Sequence, residues 1–403
     1  MKVSVDDLVR CGPDTLAGKF LRRFWQPVYR SEDLAPGSAK PLKILGEEFT
    51  IFRGETGKAS IVAPRCAHRL TRLHTGRVVG DSIQCLYHGW RYDKTGQCTF
   101  QPGENEQFTK GTRISTYPTE EYLGLIWGYF GEGEPPLLER FPDFHRPGLI
   151  VPAPVEHWPC NVFNRIDNAT DGAHVFYTHA ESTTRDGGMG SGAGSEVGEM
   201  ISTESLYGIQ SKMPFGPLDA YFHFIMPNCN MLAATVGRLE GGPSAPQAWR
   251  CELHWRVPVD DENFVSFAVW FIDLHGSEAE EYLESVRAAR ESVGGDPGKL
   301  TNLYGDKVLR GEISLNDLSH DIGTRYLFNV EDYVAQVGQG RILDRKQERL
   351  GKVDAGTILL RRLWMREMQA LEDGKPLKEW VVPEGIVDMT QPQPSWAAEK
   401  QSE

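Results

Sequence analysis

The sequence predicts an α+β protein in two parts, a small all-β module followed by a larger domain of strands flanked by helices. Three observations carry this reading. Between about Leu42 and Phe130 the chain runs in short strand-like stretches punctuated by Gly, Asn and Asp. From Gly131 to Pro147 the prolines Pro135, Pro136, Pro142 and Pro147 mark a linker. Beyond it, a run of strand candidates lies between helical patterns, the order expected of an α+β domain.

The elements follow in chain order. Residues 1–40 form an N-terminal helical segment expected to pack on the larger domain, with pieces at 6–10 and 16–25 broken at Gly12-Pro13. Residues 41–147 are the β module, with strands at 48–53, 60–63 and 124–130. In 148–390 the stretch 161–178 reads as largely helical. Strands are expected at 207–213, 220–226, 248–257 and 264–272, with a turn at 260–263, and helices at 277–292 and 358–371. The Gly-rich stretch 186–195 reads as a flexible lid or surface loop, and 391–403 as a disordered tail.

Composition narrows the function classes. At 403 residues, with 40% hydrophobic and 25% charged residues, the chain has a globular composition and room for two to three domains. Its 43 Lys and Arg against 56 Asp and Glu give a net charge of −13, which argues against a nucleic-acid partner. No apolar run approaches the ~18 residues of a membrane span. The start, Met1 to Asp7, has no signal-peptide character, so a cytoplasmic address with no membrane partner is expected. Seven cysteines are too few for a disulfide framework and read as thiols or metal ligands.

Four of the metal-ligating candidates form a pattern. Cys66-Ala67-His68 is followed, after sixteen residues, by Cys85-Leu86-Tyr87-His88. A zinc finger would place paired cysteines before paired histidines. Two Cys-His loops instead suit a [2Fe–2S] cluster with both thiolates on one iron and both imidazoles on the other. Replacing two thiolates by neutral imidazoles makes the cluster less negative and raises its potential, so it can relay single electrons. Cys11, Cys98, Cys160, Cys229 and Cys251 lack such partners and read as structural, and His74 as a loop residue.

A second pattern is Asn168-Ala169-Thr170-Asp171-Gly172-Ala173-His174, with His179 five residues further on. Two histidines and one carboxylate are the ligand set of non-haem Fe(II) oxygenases. Five residues turn an ideal helix through ~140° off one face, so both rings reach one ion only if the helix ends or bulges between them. The carboxylate comes from elsewhere. Asp332 is the best candidate, with Glu331 as the fallback. Val330, Tyr333, Val334 and Val337 make an apolar helical stripe there, while Asn329, Asp332, Gln336 and Gln339 make an uncharged-leaning polar one. Phe222, Phe224, Asn228 and Trp255 on the strand candidates read as core more than as pocket.

With these motifs in place, the chain resembles the oxygenase (alpha) component of Rieske non-haem iron oxygenases, in the branch typified by phthalate dioxygenase. Besides the two motifs, the resemblance rests on residues 8–13 and 21–27, His88-Gly89-Trp90, Tyr117-Pro118 before Gly124-Leu125-Ile126-Trp127, and Asp332 through Asp344-Arg345 to Arg361-Arg362. It implies a Rieske β-domain and a helix-grip catalytic domain. It also implies Cys66, His68, Cys85 and His88 on the [2Fe–2S] cluster, and His174, His179 and Asp332 on the mononuclear Fe(II). By the same resemblance Asp171 bridges His174 to His88 of a neighbouring subunit, in a homotrimer or hexamer. Asn168, at the head of the second motif, is a candidate to support the site from behind.

The implied function is hydroxylation or oxidative demethylation of a small aromatic acid or aryl ether with O₂. Electrons come from NAD(P)H through a separate reductase, with or without a ferredoxin, because the chain has no nucleotide or flavin motif of its own. Ring cis-dihydroxylation is the alternative, and a Rieske electron carrier without oxygenase chemistry a more remote one. One departure stands out: His68-Arg69-Leu70-Thr71-Arg72 lacks the glycine common after the first histidine, which predicts a loop of different shape.

Overall fold

In the computed structural model of the chain, residues 3–179, 182, 200–215, 218–238, 247–292, 297–318 and 324–386 are described; the Gly-rich stretch 186–195 and the tail 391–403 lie outside them. Two compact units emerge. The smaller comprises Arg10–Glu139 with Val257–Asp260, and the larger Met1–Val9, Arg140–Arg256 and Asp261–Glu403. The N-terminal segment, expected whole on the larger domain, is therefore divided. From Arg10 onward it belongs to the smaller unit, because the strand Gln26–Arg30 pairs with Leu125–Gly128 of that unit.

The smaller unit is built from short antiparallel strands, as the turn-rich sequence predicts. One four-stranded sheet runs Ala39–Ile44, Glu47–Arg53, Ala59–Val62, Thr116–Tyr117, and another Arg77–Val79, Ser82–Gln84, Arg91–Asp93, Cys98–Phe100. Phe52, Val62, Leu73, Ile83, Trp90 and Tyr92 form its core together with Cys66, Cys85 and Cys98. The two Cys-His loops thus spring from a packed base.

The larger unit carries an eight-stranded sheet. Its order is Leu149–Pro152, Asn263–Ile272, Gln247–Asp260, Cys229–Arg238, Leu218–Ile225, Gly208–Phe215, Ile201–Glu204, with Glu156–Trp158 also paired to Asn263–Ile272. The four expected strands are present. The central strand Cys229–Arg238 escaped the sequence reading because its Asn and Ala residues carry little β-branched or aromatic signal. Phe224, Asn228 and Trp255 are buried, as their reading as core requires.

Helices Gly276–Ser292 and Ala355–Glu372 match expectation, while Pro297–Leu309 was not foreseen. The stripe around Asp332 lies on a helix, Thr324–Val337. A Cβ on Gly305 would fall 2.1 Å from the Tyr333 ring, so this glycine lets helix Pro297–Leu309 close on the Asp332 helix. The stretch 161–178 is not one helix but two, Val162–Asn168 and Ala173–Tyr177. No described helix is long and apolar enough to cross a membrane.

Candidate metal centres

The two Cys-His loops are built alike. Cys66 N–H donates to Thr71 O (2.9 Å) and Leu70 N–H to Cys66 O (3.0 Å); Cys85 N–H donates to Trp90 O (2.7 Å) and Gly89 N–H to Cys85 O (3.1 Å). Four residues after each cysteine the backbone turns left-handed, at Leu70 (φ 61°) and at Gly89 (φ 74°). The loop without a glycine therefore keeps the same hydrogen-bond pattern, correcting the expected difference in shape. The leucine takes the left-handed conformation at a cost of about 1 kcal/mol.

Cys66 and Cys85 are buried and their thiols lie within hydrogen-bonding reach of one another. His68 and His88 are exposed, with ring centroids 4.6 Å apart. Trp90 stacks on His68 at 4.4 Å and 9°. Two thiols inside and two imidazoles outside fit a cluster held by its cysteines in the core and its histidines at the surface. A further residue, Tyr92, was invisible in the sequence. Its hydroxyl accepts from Ala67 N–H (3.2 Å), which leaves its own proton to donate to Cys66 Sγ (3.2 Å). Burial, and then the neighbouring thiol, push Tyr92 up, so it remains a donor.

In the larger unit, His174, His179 and Asp332 each present one ligand atom, and all of these lie within 4.8 Å of one another. The helix Ala173–Tyr177 ends between the histidines, which is how both rings reach one point. Asp332 Oδ1 is 3.5 Å from His179 Nε2 and 4.0 Å from His174 Nε2. Each of these three side chains is held from behind. His179 Nδ1 donates to Glu331 Oε2 (3.0 Å), which also accepts from Ser182 Oγ (2.7 Å). Glu331, the fallback ligand, thus orients a histidine instead. His174 Nδ1 donates to the Asp171 carbonyl (2.5 Å), with the Asp171 carboxylate 3.8 Å away.

Asp332 is gripped on both oxygens. Arg165 Nη1 donates to Oδ2 (2.7 Å) and Gln336 Nε2 to Oδ1 (3.0 Å). Asn168 Oδ1 accepts from the same Nη1 of Arg165 (3.0 Å) and so reaches the acid through that arginine. Burial alone would raise the Asp332 carboxyl, but Arg165 and His179 outweigh it and hold the group ionised. Burial likewise lowers His174, whereas on His179 the two carboxylates Asp332 and Glu331 overcome it. Two ring nitrogens and one carboxylate oxygen, with tautomers fixed by outer partners, are the donor set that would hold Fe(II) and leave positions open. Arg165 and the role of Glu331 left no local trace in the sequence, since their contacts span 167 and 152 residues.

Residues 24–118 match the Rieske [2Fe-2S] domain family. The chain is 29% identical to the 5,5'-dehydrodivanillate O-demethylase oxygenase subunit of Sphingobium sp. (strain NBRC 103272 / SYK-6), over 93% of this chain and 81% of that protein. It is 26% identical to the 3-chlorobenzoate-3,4-dioxygenase oxygenase subunit of Comamonas testosteroni, over 91% and 88%. Among solved structures, the terminal oxygenase of carbazole 1,9a-dioxygenase from Novosphingobium sp. KA1 shares the fold, with TM-score 0.61, 19% identity, and coverage of 89% of this chain and 95% of that one.

Proposed function

This chain belongs to the Rieske non-haem iron oxygenases, as an oxygenase component, and from that premise we propose that it hydroxylates or oxidatively demethylates a small aromatic acid or aryl ether with O₂. The observation that carries the reading is the cluster of His174, His179 and Asp332 in a chain that also has a Rieske domain. A pure electron carrier would have no use for it. The kinship to an O-demethylase and to a ring dioxygenase supports the aromatic substrate class.

In this reading Cys66 and Cys85 hold the inner iron of the [2Fe–2S] cluster, His68 and His88 the outer, and His174, His179 and Asp332 the mononuclear Fe(II). When bound, the cluster supplies single electrons and the mononuclear iron the means of activating O₂. The side chains of this protein do the rest. Glu331 accepts a hydrogen bond from Nδ1–H of His179, which fixes the tautomer and leaves Nε2 as the lone-pair nitrogen that would hold the metal, and the Asp171 carbonyl does the same for His174. Arg165 occupies Oδ2 of Asp332, so Oδ1, which accepts one hydrogen bond from Gln336 and keeps a second lone pair, would be the oxygen that holds the metal. Phe328, stacked on His179 at 3.5 Å, shields that side from water.

The oxygenase works with a separate reductase, which draws on NAD(P)H, or with a ferredoxin between them. The carboxylate of Asp171, about one-third exposed, would bridge to His88 of the next subunit in a cytoplasmic homotrimer or hexamer. The test is metal analysis followed by turnover under ¹⁸O₂ with 4-methoxybenzoate and a surrogate reductase. Three irons per chain, with formaldehyde or a singly labelled phenol as product, are expected. Two irons per chain reduce the protein to an electron carrier, and a doubly labelled cis-diol moves it to the dihydroxylating class.

A further inference from the structure

The two Cys-His loops are near copies of one another, and they differ at the residue that closes them. Thr71 O closes the first by accepting from Cys66 N–H (2.9 Å), and Trp90 O closes the second by accepting from Cys85 N–H (2.7 Å). Both closing residues stand five positions after their cysteine, but one carries a hydroxyl and the other an indole. The Trp90 backbone thus belongs to the second loop while its ring lies on His68 of the first, with centroids 4.4 Å apart and planes 9° from parallel. Thr71 has no ring to lay on His88 in return.

The indole is itself fixed. Trp90 is 6% exposed and packs in the core with Phe52, Cys66, Cys85 and Tyr92, and Phe108 meets its ring edge-on at 6.0 Å and 81°. Among the described residues the rings against His88 are His68, at 4.6 Å and 66°, and Tyr87, at 3.8 Å and 34°. Tyr87 is 55% exposed, so it is a surface neighbour and not a wall. The outer torsion of a histidine is broad, and an exposed imidazole has no ring plane of its own to prefer. A bond from one ring nitrogen to a metal would still leave the ring free to turn about that bond. Parallel contact with a buried aromatic ring removes that freedom.

We infer that Trp90 is a positioning residue for His68 and makes the two outer ligands unequal. His68 is held in one ring plane from the core, while His88 is left to settle against whatever meets the surface. The inference rests on the reading of His68 and His88 as ligands of the outer iron, and deepens it by dividing their work.

The test is pulsed ENDOR spectroscopy on the reduced, full-length holoprotein carrying ¹⁵N-labelled histidine. A fixed ring plane gives one sharp coupling, whereas a free ring freezes into a spread. The wild type is therefore expected to show two histidine couplings, one narrow and one broad. Trp90→Leu, which removes the ring, is expected to broaden the narrow coupling until it matches the other. Trp90→Phe, which keeps an aromatic ring on His68, is expected to leave it narrow. Two couplings of equal width in the wild type, a narrow coupling that survives Trp90→Leu, or equal broadening in both variants overturns the inference. The wild-type measurement decides by itself if the leucine variant does not retain its cluster. Fewer than two histidine couplings in the cluster-bearing wild type overturns the ligand reading, and the inference with it.

Discussion

The Tyr92 hydroxyl is one donor away from the electron store. A hydrogen bond to a cluster sulfur favours the reduced state, so Tyr92→Phe is expected to lower the cluster potential by about 40 mV, the equivalent of ~1 kcal/mol for one electron. Protein-film voltammetry reads this directly, and an unchanged potential would remove Tyr92 from the account. Glu331 acts in the same way on the other centre. Glu331→Leu is expected to weaken iron binding by about tenfold to a hundredfold, and Glu331→Gln, which still accepts from Nδ1, by much less. Chelator competition followed by metal analysis distinguishes them. Equal losses in both variants would mean that Glu331 only fills space.

At the scale of elements, the helix Val162–Asn168 is anchored by charge. Asp167 accepts from Arg345 Nη1 (2.7 Å) and from Arg361 Nε and Nη2 (3.0 and 2.7 Å), and Glu348 accepts from both arginines. These residues explain the stretch from Asp344-Arg345 to Arg361-Arg362: they converge on the position next to Asn168. Arg361→Met leaves two carboxylates under-compensated in a buried cluster and is expected to cost about 3 to 5 kcal/mol in urea unfolding. A loss below ~1 kcal/mol would make the cluster decorative.

In the sheet, His223 bonds Tyr207 Oη (2.7 Å) and burial pushes its imidazole down to about 4. Between pH 4 and its unfolded value of about 6.5 the folded state binds fewer protons, so stability rises with pH through that window. The contribution is complete above pH ~6.5, amounts to about 3 kcal/mol, and is lost as pH falls toward 4. Unfolding midpoints at pH 7.5 and 5 should separate in the wild type more than in His223→Gln; parallel shifts would assign the pH dependence to other groups.

At the scale of the whole molecule, the proposed oligomer makes a cooperative prediction. Chains carrying Cys85→Ser lack the cluster, and chains carrying His174→Ala lack the mononuclear iron, so each alone should be inactive. Co-expressed in one oligomer, they are expected to recover a measurable fraction of turnover, because an intact cluster can serve an intact iron on its neighbour. No recovery would confine electron transfer to a single chain. The cluster motif was legible in the sequence because the four proposed ligands crowd into two short loops whose spacing carries the chemistry. The two candidate histidines of the second centre were legible for the same reason, and Asp332, the candidate carboxylate, through the mostly uncharged polar stripe of its helix. What surrounds them was not: Arg165 on Asp332, Glu331 on His179 and Tyr92 on Cys66 are relations between distant segments. Sequence alone singled out the side chains proposed to bear the iron chemistry, since local spacing encodes local ligand sets. Only the tertiary structure decided which oxygen, which ring nitrogen and which buried charge each presents, since those depend on what the folded chain brings against them from far away.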